Sequence, residues 1–423
     1  MREGWKEVNF GDVVQFPPKI SMKKGTTYPF IPMEAIDSGK KYVKPKEEKP
    51  LTSGGAKFEE GDTLFARITP CLQNGKISQA KNLNGKPGFG STEYFIFRGK
   101  EGITDTDFIY YLTLNSWFKD KAIGSMVGAS GRQRADTTFV RNIEIELPPL
   151  STQRKIASIL SGYDDLIENN LKRIKLLEEK AQLTYEEWFV KMRFPGYETA
   201  VFNEVTGLPE GWDKVKLGQL LEITSSKRIF LSDYVEEGIP FYRSKEIILK
   251  SKNEALNDLL YISKNKFEEI KNKFDLPKSG DILVTAVGTL GYPYLITDSD
   301  GDFYFKDGNL IWLKNSQLIS STYLISCFKN ENFQSNLKNI AIGSSQKALT
   351  ISSLKDILIL NPKSEIQLNF DSLIIPLFNS IENLQNQNRL LKEARDILLP
   401  RLMSGMIDVD KMAVPAAVEE LGI

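Results

Sequence analysis

Two long stretches of the sequence carry apolar residues at alternating steps of four and three. The first pattern runs from Ile156 to Trp188 and the second from Phe370 to Leu402. A proline and then a serine precede each stretch, at Pro149 and Ser151 and again at Pro362 and Ser364, as is typical of helix starts. The pattern predicts two helices of about 40 residues, each about 60 Å long.

Adding 214 to the residue numbers of the first apolar stripe gives the second. Leaving such apolar stripes exposed to water is unfavourable, so we predict that the helices pair antiparallel as a coiled coil. The alternative, in which each helix packs only on its own domain, is disfavoured because globular helices average about 12 residues. We call the positions where the two helices are predicted to contact each other the seam. The predicted seam consists of Ile156, Leu160, Tyr163, Ile167, Asn170, Ile174 and Leu177 in the first helix and Phe370, Ile374, Leu377, Ile381, Leu384, Asn388 and Leu391 in the second.

The seam asparagines Asn170 and Asn388 have two interpretations. Polar seam residues can determine helix register at some loss of stability, but they can also be tolerated polar positions.

Short strand-like segments precede each long helix. Residues 94–97 are apolar on both faces, whereas residues 143–147 alternate strictly between apolar and acidic. A helix is predicted after the candidate caps Asp105 and Thr106, and another after Ser321 and Thr322. Because strands and helices alternate without regular βαβ spacing, the predicted class is α+β.

The chain also contains an internal duplication. Gly4-Trp5 recurs as Gly211-Trp212, Gly61-Asp62 recurs as Gly280-Asp281, and the segment 128–134 recurs as 343–347. Copies of about 200 residues are too long for a solenoid repeat, so a pseudo-twofold pair of domains is predicted. The predicted segments are a first domain at 1–150, a first long helix at 151–192, a second domain at 193–363, a second long helix at 364–405 and a C-terminal tail at 406–423.

Composition excludes several classes of protein. No apolar run reaches 18 residues, and the first residues lack the charged segment followed by an apolar one that a signal peptide has. We therefore expect a cytoplasmic protein with no membrane partner. Cys71 and Cys327 lie far apart, which disfavours a disulfide framework and predicts two buried small residues. The absence of histidine excludes imidazole catalysis and histidine-bound metals.

Motifs for catalysis are missing as well. There is no phosphate-binding glycine loop, dinucleotide fingerprint or nucleophile elbow, and no methyltransferase motif in which Pro-Pro lies between an amide and an aromatic residue. The acid pairs at 59–60, 164–165 and 236–237 indicate solvated faces rather than metal ligands. The sequence therefore predicts a binding protein with no catalytic residue and no metal or cofactor of its own.

Basic and amide residues on flexible segments are the candidates for contacts with nucleic acid, since arginine and lysine bind guanine edges and phosphates. Basic residues equal acidic ones at 55 each, so only local clusters can support this interpretation. For any single lysine pair, a solvated surface is the simpler reading; the Gln-Arg/Lys that occurs twice is the stronger signal. The candidates are Lys23, Lys24, Arg67, Arg132, Gln133, Arg134, Lys227, Arg228, Arg243, Lys245, Gln346 and Lys347, together with the lysine run at positions 40, 41, 44 and 46. For Arg67, packing ranks above a base contact.

Three motifs carry a resemblance to a known family. These are the Gly-Trp start of each half, the segment 61–72, and the segment 147–157 with sequence LPPLSTQRKIA. The chain resembles the specificity subunits of type I restriction-modification enzymes over nearly its whole length. It departs from the usual Glu-Gln before the first helix, which is Thr152-Gln153 here, and Gln367 is the matching amide in the second half.

The resemblance implies a non-catalytic subunit in which each globular domain recognises one half of a split double-stranded DNA site and the helices act as spacer. It also implies two adenine methyltransferase subunits as partners, which use S-adenosylmethionine, and restriction subunits, which use ATP and magnesium. Two other hypotheses remain: a coiled-coil scaffold that binds only proteins, and a stand-alone nuclease.

Overall fold

The computed structural model describes residues 4–52, 54–129, 131–252, 256, 258–343 and 347–411. The chain divides into two compact units. Unit 1 comprises Met1–Asn169 and Asn388–Ile423, and unit 2 comprises Asn170–Gln387. None of the helices in the described ranges is long and apolar enough to cross a membrane.

Unit 1 combines three small sheets with helices. Its strands are β1 Lys6–Asn9, β2 Val14–Gln15, β3 Thr27–Ile31, β4 Tyr42–Val43, β5 Glu47–Pro50, β6 Ala56–Phe58, β7 Thr63–Ala66, β8 Ile77–Ala80, β9 Gly88–Gly90, β10 Tyr94–Gly99 and β11 Glu144–Leu147. Its helices are α1 Phe10–Val13, α2 Thr106–Leu114, α3 Ser116–Gly124, α4 Thr137–Arg141 and the first part of α5 Leu150–Tyr185, with a 3-10 turn at Met33–Ala35.

Unit 2 is built in the same way. Its strands are β12 Asp213–Lys216, β13 Ile223–Thr224, β14 Tyr234–Val235, β15 Ile239–Tyr242, β16 Leu260–Ile262, β17 Ile282–Thr285, β18 Pro293–Leu295, β19 Tyr304–Phe305, β20 Leu310–Leu313 and β21 Leu358–Asn361. Its helices are α6 Leu217–Leu220, α7 Ser244–Ser251, α8 Lys264–Lys273, α9 Ser321–Lys329, α10 Glu331–Ile340, α11 Ile351–Asp356 and most of α12 Ser364–Met403. A π-helical turn follows α5 at Glu186–Val190, and 3-10 turns lie at Tyr197–Thr199, Leu231–Asp233 and Asp298–Asp300.

The sheet orders of the two units correspond. In unit 1 the central sheet has the order β2-β10-β7-β8-β4, and in unit 2 it has the order β13-β20-β17-β18. The pair β1-β11 matches β12-β21, and the parallel pair β3-β9 matches β15-β19. The predicted α+β class and the predicted duplication are confirmed.

Local sequence accounts for these elements. In β11 the isoleucine and leucine are buried and both glutamates are exposed, whereas the first four residues of β10 are all buried. Asp105 caps α2 by accepting a hydrogen bond from the amide of Phe108 at 2.9 Å. In unit 2 the cap of α9 is Ser320, one residue before the predicted Ser321.

Aromatic residues fill the core of each unit. In unit 1 the Phe10 ring lies 5.1 Å from that of Phe97, edge to face. In unit 2 Phe189 lies 4.7 Å from Tyr323 and 5.0 Å from Phe370, also edge to face. Because Phe370 belongs to α12, the long helix forms part of the core of this unit.

Segments of the long helices pair antiparallel inside each unit. In unit 1, Ile156 and Leu160 belong to one buried cluster with Leu402. In unit 2, Ile174 clusters with Ile381. Early residues of α5 thus meet late residues of α12, and the predicted antiparallel pairing of the helices is confirmed. All fourteen predicted seam residues are buried or half-buried, and the side-chain amide of Asn170 donates to Gln387 Oε1 at 3.4 Å.

A glutamine joins each long helix to its unit. The Gln153 side chain accepts from the Asp105 amide at 3.0 Å and donates to the carbonyls of Ile103 and Pro148 at 3.0 and 2.8 Å. The Gln367 side chain accepts from the Ser320 amide at 2.8 Å and donates to the Pro362 carbonyl at 2.8 Å. The same arrangement therefore occurs at both helix starts.

Three further details differ from the sequence predictions. Asp164, predicted to be solvated, is 4% exposed. Cys71 is half-buried, whereas Cys327 is buried as predicted. In the predicted tail, Val409 is buried and Asp410 accepts from Thr152 Oγ1 at 2.8 Å, so the residues just after α12 pack on unit 1. Residues 412–423 lie outside the described ranges.

Candidate nucleic-acid interface

A loop of unit 1, whose described residues are 128, 129 and 131–133, is attached at both ends by backbone hydrogen bonds. We call it the Arg132 loop. The residues that flank it, Val127 and Arg134, exchange two backbone hydrogen bonds of 3.0 and 2.9 Å. Gly128 and Gly131 have φ angles of +125° and +78°, which other residues rarely adopt. These hydrogen bonds hold both ends of the loop in place.

The Arg132 loop lies against the end of strand β7. The amide of Thr69 donates to the Gln133 carbonyl at 2.9 Å, and Thr69 Oγ1 accepts from the Gln133 amide at 3.0 Å. The Arg67 carbonyl accepts from the amide of Ala135 at 2.8 Å. The fold therefore brings Arg67 next to Gln133 and Arg134, two neighbouring residues from a segment more than 60 residues further along the chain.

Glu93 binds the guanidinium of Arg134. Nε of Arg134 donates to the two carboxylate oxygens at 3.0 and 2.9 Å, and Nη2 donates to Oε1 at 2.6 Å. This hydrogen bonding raises the pKa of Arg134, so the group stays charged. Sequence reasoning missed Glu93, whose only signal is its position directly before the aromatic strand β10.

Arg67 lies beside this pair. Its guanidinium carbon is 4.8 Å from the centre of the Phe95 ring, and its Nε is 4.0 Å from Glu93 Oε2. Nε is buried and has no hydrogen-bond partner among the described residues. The side chain is 29% exposed. Its guanidinium therefore packs on the Phe95 ring while part of it stays accessible to solvent.

The residues that flank the equivalent loop of unit 2 form the same backbone hydrogen bonds but carry different side chains. Ile342 and Ala348 exchange backbone hydrogen bonds of 2.9 and 2.8 Å, and the Ala286 carbonyl accepts from the Leu349 amide at 2.9 Å. The Ala286 amide donates to the Asn309 carbonyl, just as the Arg67 amide donates to that of Glu93. Positions 67, 93 and 134 thus correspond to Ala286, Asn309 and Ala348. In this loop Lys347 is exposed, whereas Gln346 lies outside the described residues.

The other predicted cations occupy separate surfaces. In unit 1, Lys23 and Lys24 are exposed before β3. In unit 2, Arg228 is exposed, and Lys227 is exposed with its Nζ 4.7 Å from the Phe274 ring centre, in a groove of about 530 Å³. The same groove is lined by Lys271, Lys273 and Lys314, which form ion pairs with glutamates or aspartate.

Arg243 and Lys245 differ in their environment although they are neighbours. The Arg243 guanidinium forms an ion pair of 2.5 Å with Glu246, a residue whose side chain is buried. Hydrogen bonding to Glu246 raises the pKa of Arg243. Lys245 is exposed. Of these two, Lys245 is the more accessible cation.

The lysine run at positions 40–46 does not form the predicted cluster of exposed cations. Lys41 is 3% exposed, and its Nζ donates to Ser161 Oγ of α5 at 2.7 Å. Lys44 forms an ion pair with Glu168, also of α5. The prediction of a nucleic-acid contact is therefore wrong for Lys41, because the loop packs on the helix.

Comparison with known proteins explains the duplicated architecture. Residues 2–179 and 209–393 match the sequence model of the type I restriction modification DNA specificity domain. The chain belongs to this family. Each match covers the globular part of one half and part of the long helix that follows it. The chain is therefore a non-catalytic recognition subunit with two DNA specificity domains.

Relatives cover most of this specificity subunit. The type I restriction enzyme MjaIX specificity subunit of Methanocaldococcus jannaschii is 28% identical over 370 residues, which cover 84% of this chain and 79% of that protein. The MjaVIII specificity subunit of the same organism is 25% identical over 434 residues and covers 97% and 94%. The crystal structure of the type I restriction-modification system S subunit from M. genitalium is similar in fold, with a TM-score of 0.54, 17% identity and coverage of 94% of this chain and 96% of that one.

Within the described ranges of this specificity subunit, no group of three or more cysteine, aspartate or glutamate side chains could hold a metal ion. The fold also leaves exposed basic residues on loops, among them Lys23, Lys24, Arg132, Arg228 and Lys347. Those residues can bind DNA by charge and by directional hydrogen bonds.

Proposed function

We propose that each unit recognises one half of a bipartite double-stranded DNA target, and that the length of the two long helices determines the unrecognised gap between the halves. The main support for this proposal is a set of three equivalent positions in the two units. One backbone arrangement presents Arg67, Glu93 and Arg134 in unit 1 but Ala286, Asn309 and Ala348 in unit 2. Two copies of one scaffold with different side chains suit two different half-site sequences.

DNA contacts in this proposal come from the exposed cations of both units. Arg132 and Lys347 lie on the equivalent loops, while Lys23, Lys24, Lys227, Arg228 and Lys245 supply charge around them. Phosphate contacts position a protein on DNA, whereas base contacts specify the sequence. Basic and acidic residues are equal in number, so we expect the isolated chain to bind DNA weakly and partner subunits to supply much of the phosphate contact.

The proposed protein partners are two adenine methyltransferase subunits and, through them, restriction subunits. Exposed apolar residues on the long helices support protein docking there. In unit 2, Leu176 and Leu183 of α5 are 64% and 58% exposed and line a groove of about 420 Å³. In unit 1, Leu390 and Ile397 of α12 are 55% and 54% exposed. S-adenosylmethionine, ATP and magnesium would be bound by the partners.

Adenine-methylation mapping tests this proposal. Genomes would be compared between cells that carry this chain with its methyltransferase and cells that carry the methyltransferase alone. We expect a split motif with two dissimilar halves that disappears without the chain. An unchanged methylation pattern, with the methyltransferase shown to be active, would favour a scaffold that binds only proteins.

The assembled complex provides a second measurement. DNA affinity should fall steeply as salt concentration rises, because phosphate contacts release counterions. A complex with no salt-dependent DNA affinity would contradict DNA recognition. Cleavage of DNA by the isolated chain with magnesium would instead indicate a nuclease.

A further inference from the structure

We propose that Arg134, oriented by the Glu93 carboxylate, recognises a guanine in the half-site bound by unit 1, and that unit 2 makes no such contact from its equivalent position. This inference rests on the proposed function and adds a base and a residue to it.

The geometry of the Arg134–Glu93 pair leaves one edge of the guanidinium available. Nε and one N–H of Nη2 bind Glu93, and among the described residues Nη1 makes only a long contact of 3.4 Å, to the Arg132 carbonyl. The side chain is 42% exposed. The Nη1–Nη2 edge presents two parallel donors, which match O6 and N7 of guanine in the major groove.

Charge favours a base over a phosphate as the target of Arg134. The Glu93 carboxylate neutralises much of the positive charge, which weakens attraction to a phosphate. The direction of the remaining N–H groups is unaffected, and the carboxylate restricts rotation of the guanidinium plane. A guanidinium of this kind suits the neutral acceptors of a base edge.

The backbone around Arg134 is also restrained. Arg134 is paired with Val127 on one side, and the next residue, Ala135, donates to the Arg67 carbonyl. Recognition residues are most selective when the supporting shell is rigid. The partly exposed guanidinium of Arg67 lies beside the same carboxylate, with its Nε 4.0 Å from Glu93 Oε2.

The equivalent site in unit 2 lacks every part of this arrangement. Ala286 and Ala348 replace the two arginines and Asn309 replaces the glutamate. Alanine offers no hydrogen-bond donor to a base from its side chain. A guanine requirement from this position is therefore confined to one half-site.

Methylation mapping with variants of the full chain, co-produced with its partner subunits, tests the inference. Arg134→Gln should relax one guanine in one half-site, with discrimination reduced about 10- to 100-fold, while the other half-site persists. Glu93→Gln should relax the same position, because Arg134 loses its orientation. Arg132→Gln, in the adjoining Arg132 loop and without an ion pair among the described residues, should lower methylation at all sites and leave the motif unchanged.

A base analogue gives an independent readout with the purified complex. Replacing the identified guanine by 7-deazaguanine removes N7 and should weaken binding by the unaltered complex, but not by the Arg134→Gln complex. Equal weakening in both complexes would overturn the assignment.

The outcomes separate the inference from the proposed function. A chain-dependent split motif that Arg134→Gln leaves unchanged would overturn the inference alone. If Arg134→Gln abolished methylation, Glu93→Gln would decide, since it keeps Arg134 but removes the carboxylate that orients it: an unchanged guanine requirement in that variant would overturn the inference, and a relaxed one would support it. The absence of any chain-dependent motif in the unaltered protein would overturn both.

Discussion

Nη1 of Arg395 donates to Oδ1 of Asp164 at 2.5 Å, and the two side chains are only 4% and 3% exposed. The hydroxyl of Tyr111 donates to the other carboxylate oxygen at 2.6 Å. Within unit 1 this buried ion pair connects α5 with α12, and the hydroxyl links both to α2. Nearby acidic groups, chiefly Asp164, raise the pKa of Arg395 despite its burial.

The equivalent position in unit 2 is apolar. Under the offset of 214, Asp164 corresponds to Phe378 and Arg395 corresponds to Ala181, and both of these residues belong to the apolar cluster of that unit. The fold therefore does not need an ion pair at this position. Buried polar pairs can instead determine register and partner choice, and we assign that role to Asp164 and Arg395.

Removing one member of this pair should destabilise unit 1. Arg395→Met leaves the Asp164 carboxylate buried without its counter-charge, so we expect a loss of about 3–5 kcal/mol in the free energy of unfolding, measured by urea denaturation. The double variant Asp164→Phe with Arg395→Ala, which copies unit 2, should lose less than the single variant.

Arg389→Met is the matched control for that experiment. Arg389 lies on the same helix and pairs with Glu393 at 2.9 Å, but both side chains are more than half exposed. Surface pairs of this kind contribute about 0.5 kcal/mol or less. Equal losses for Arg395→Met and Arg389→Met would contradict a structural role for the buried pair.

Substituting the glutamines at the helix starts should also destabilise the protein. Gln153→Leu leaves the Asp105 amide and two carbonyls without partners, and we expect a loss of about 2–4 kcal/mol in stability. Gln367→Leu should act similarly in unit 2. Hydrogen–deuterium exchange should show faster exchange at the start of α2 for the first variant and of α9 for the second. Arg154→Ala, an exposed neighbour, should change neither; if it matched Gln153→Leu, the hydrogen bonds would not be the cause.

Lengthening both helices should change the DNA motif in one respect only. Seven residues inserted between Asn170 and Ala181, with seven at the paired position of α12, preserve the apolar stripe and add about 10 Å. We expect the gap in the methylated motif to grow by about three base pairs while both half-sites persist. Methylation mapping would refute the spacer role if the gap stayed the same. The same insertion in α5 alone should disrupt the pairing and abolish the motif.

The two cysteines should differ in reactivity. Burial raises the pKa of Cys327 to about 12, so its thiol is almost fully protonated at pH 8. Cys71 is half-buried and should react first. A thiol-specific chromogenic reagent should therefore detect one fast thiol in the folded chain and two after unfolding. Cys71→Ser should remove the fast phase; its persistence in that variant would assign the reactive thiol to Cys327.

Much of the fold could be predicted because its signals are local or repeated. The apolar stripe from Ile156 to Trp188 needs only the helical period, and its recurrence 214 residues later indicates a second helix able to cover it. The alternation of residues 144–147 determines which side of β11 is buried. The duplication follows directly from the recurring Gly-Trp and Gly-Asp pairs.

The candidate site could be predicted only in part. Arg67, Gln133 and Arg134 were identified by residue type, but their proximity depends on the Arg132 loop meeting the end of β7. Glu93 has no sequence signal of its own, since a single glutamate before a strand is ordinarily a surface residue. Its role appears only when β10 pairs with β7 and places it beside both arginines.

The duplication, the α+β class and the pairing of two long helices follow from the amino-acid sequence alone, because periodic apolar positions must be buried. Which charged residues are buried follows only from the fold. Asp164 and Arg395 are 231 positions apart, and Lys41 is 120 positions from Ser161. Burying a charge is unfavourable without a partner, and a partner so distant in sequence is identified only when the chain has folded.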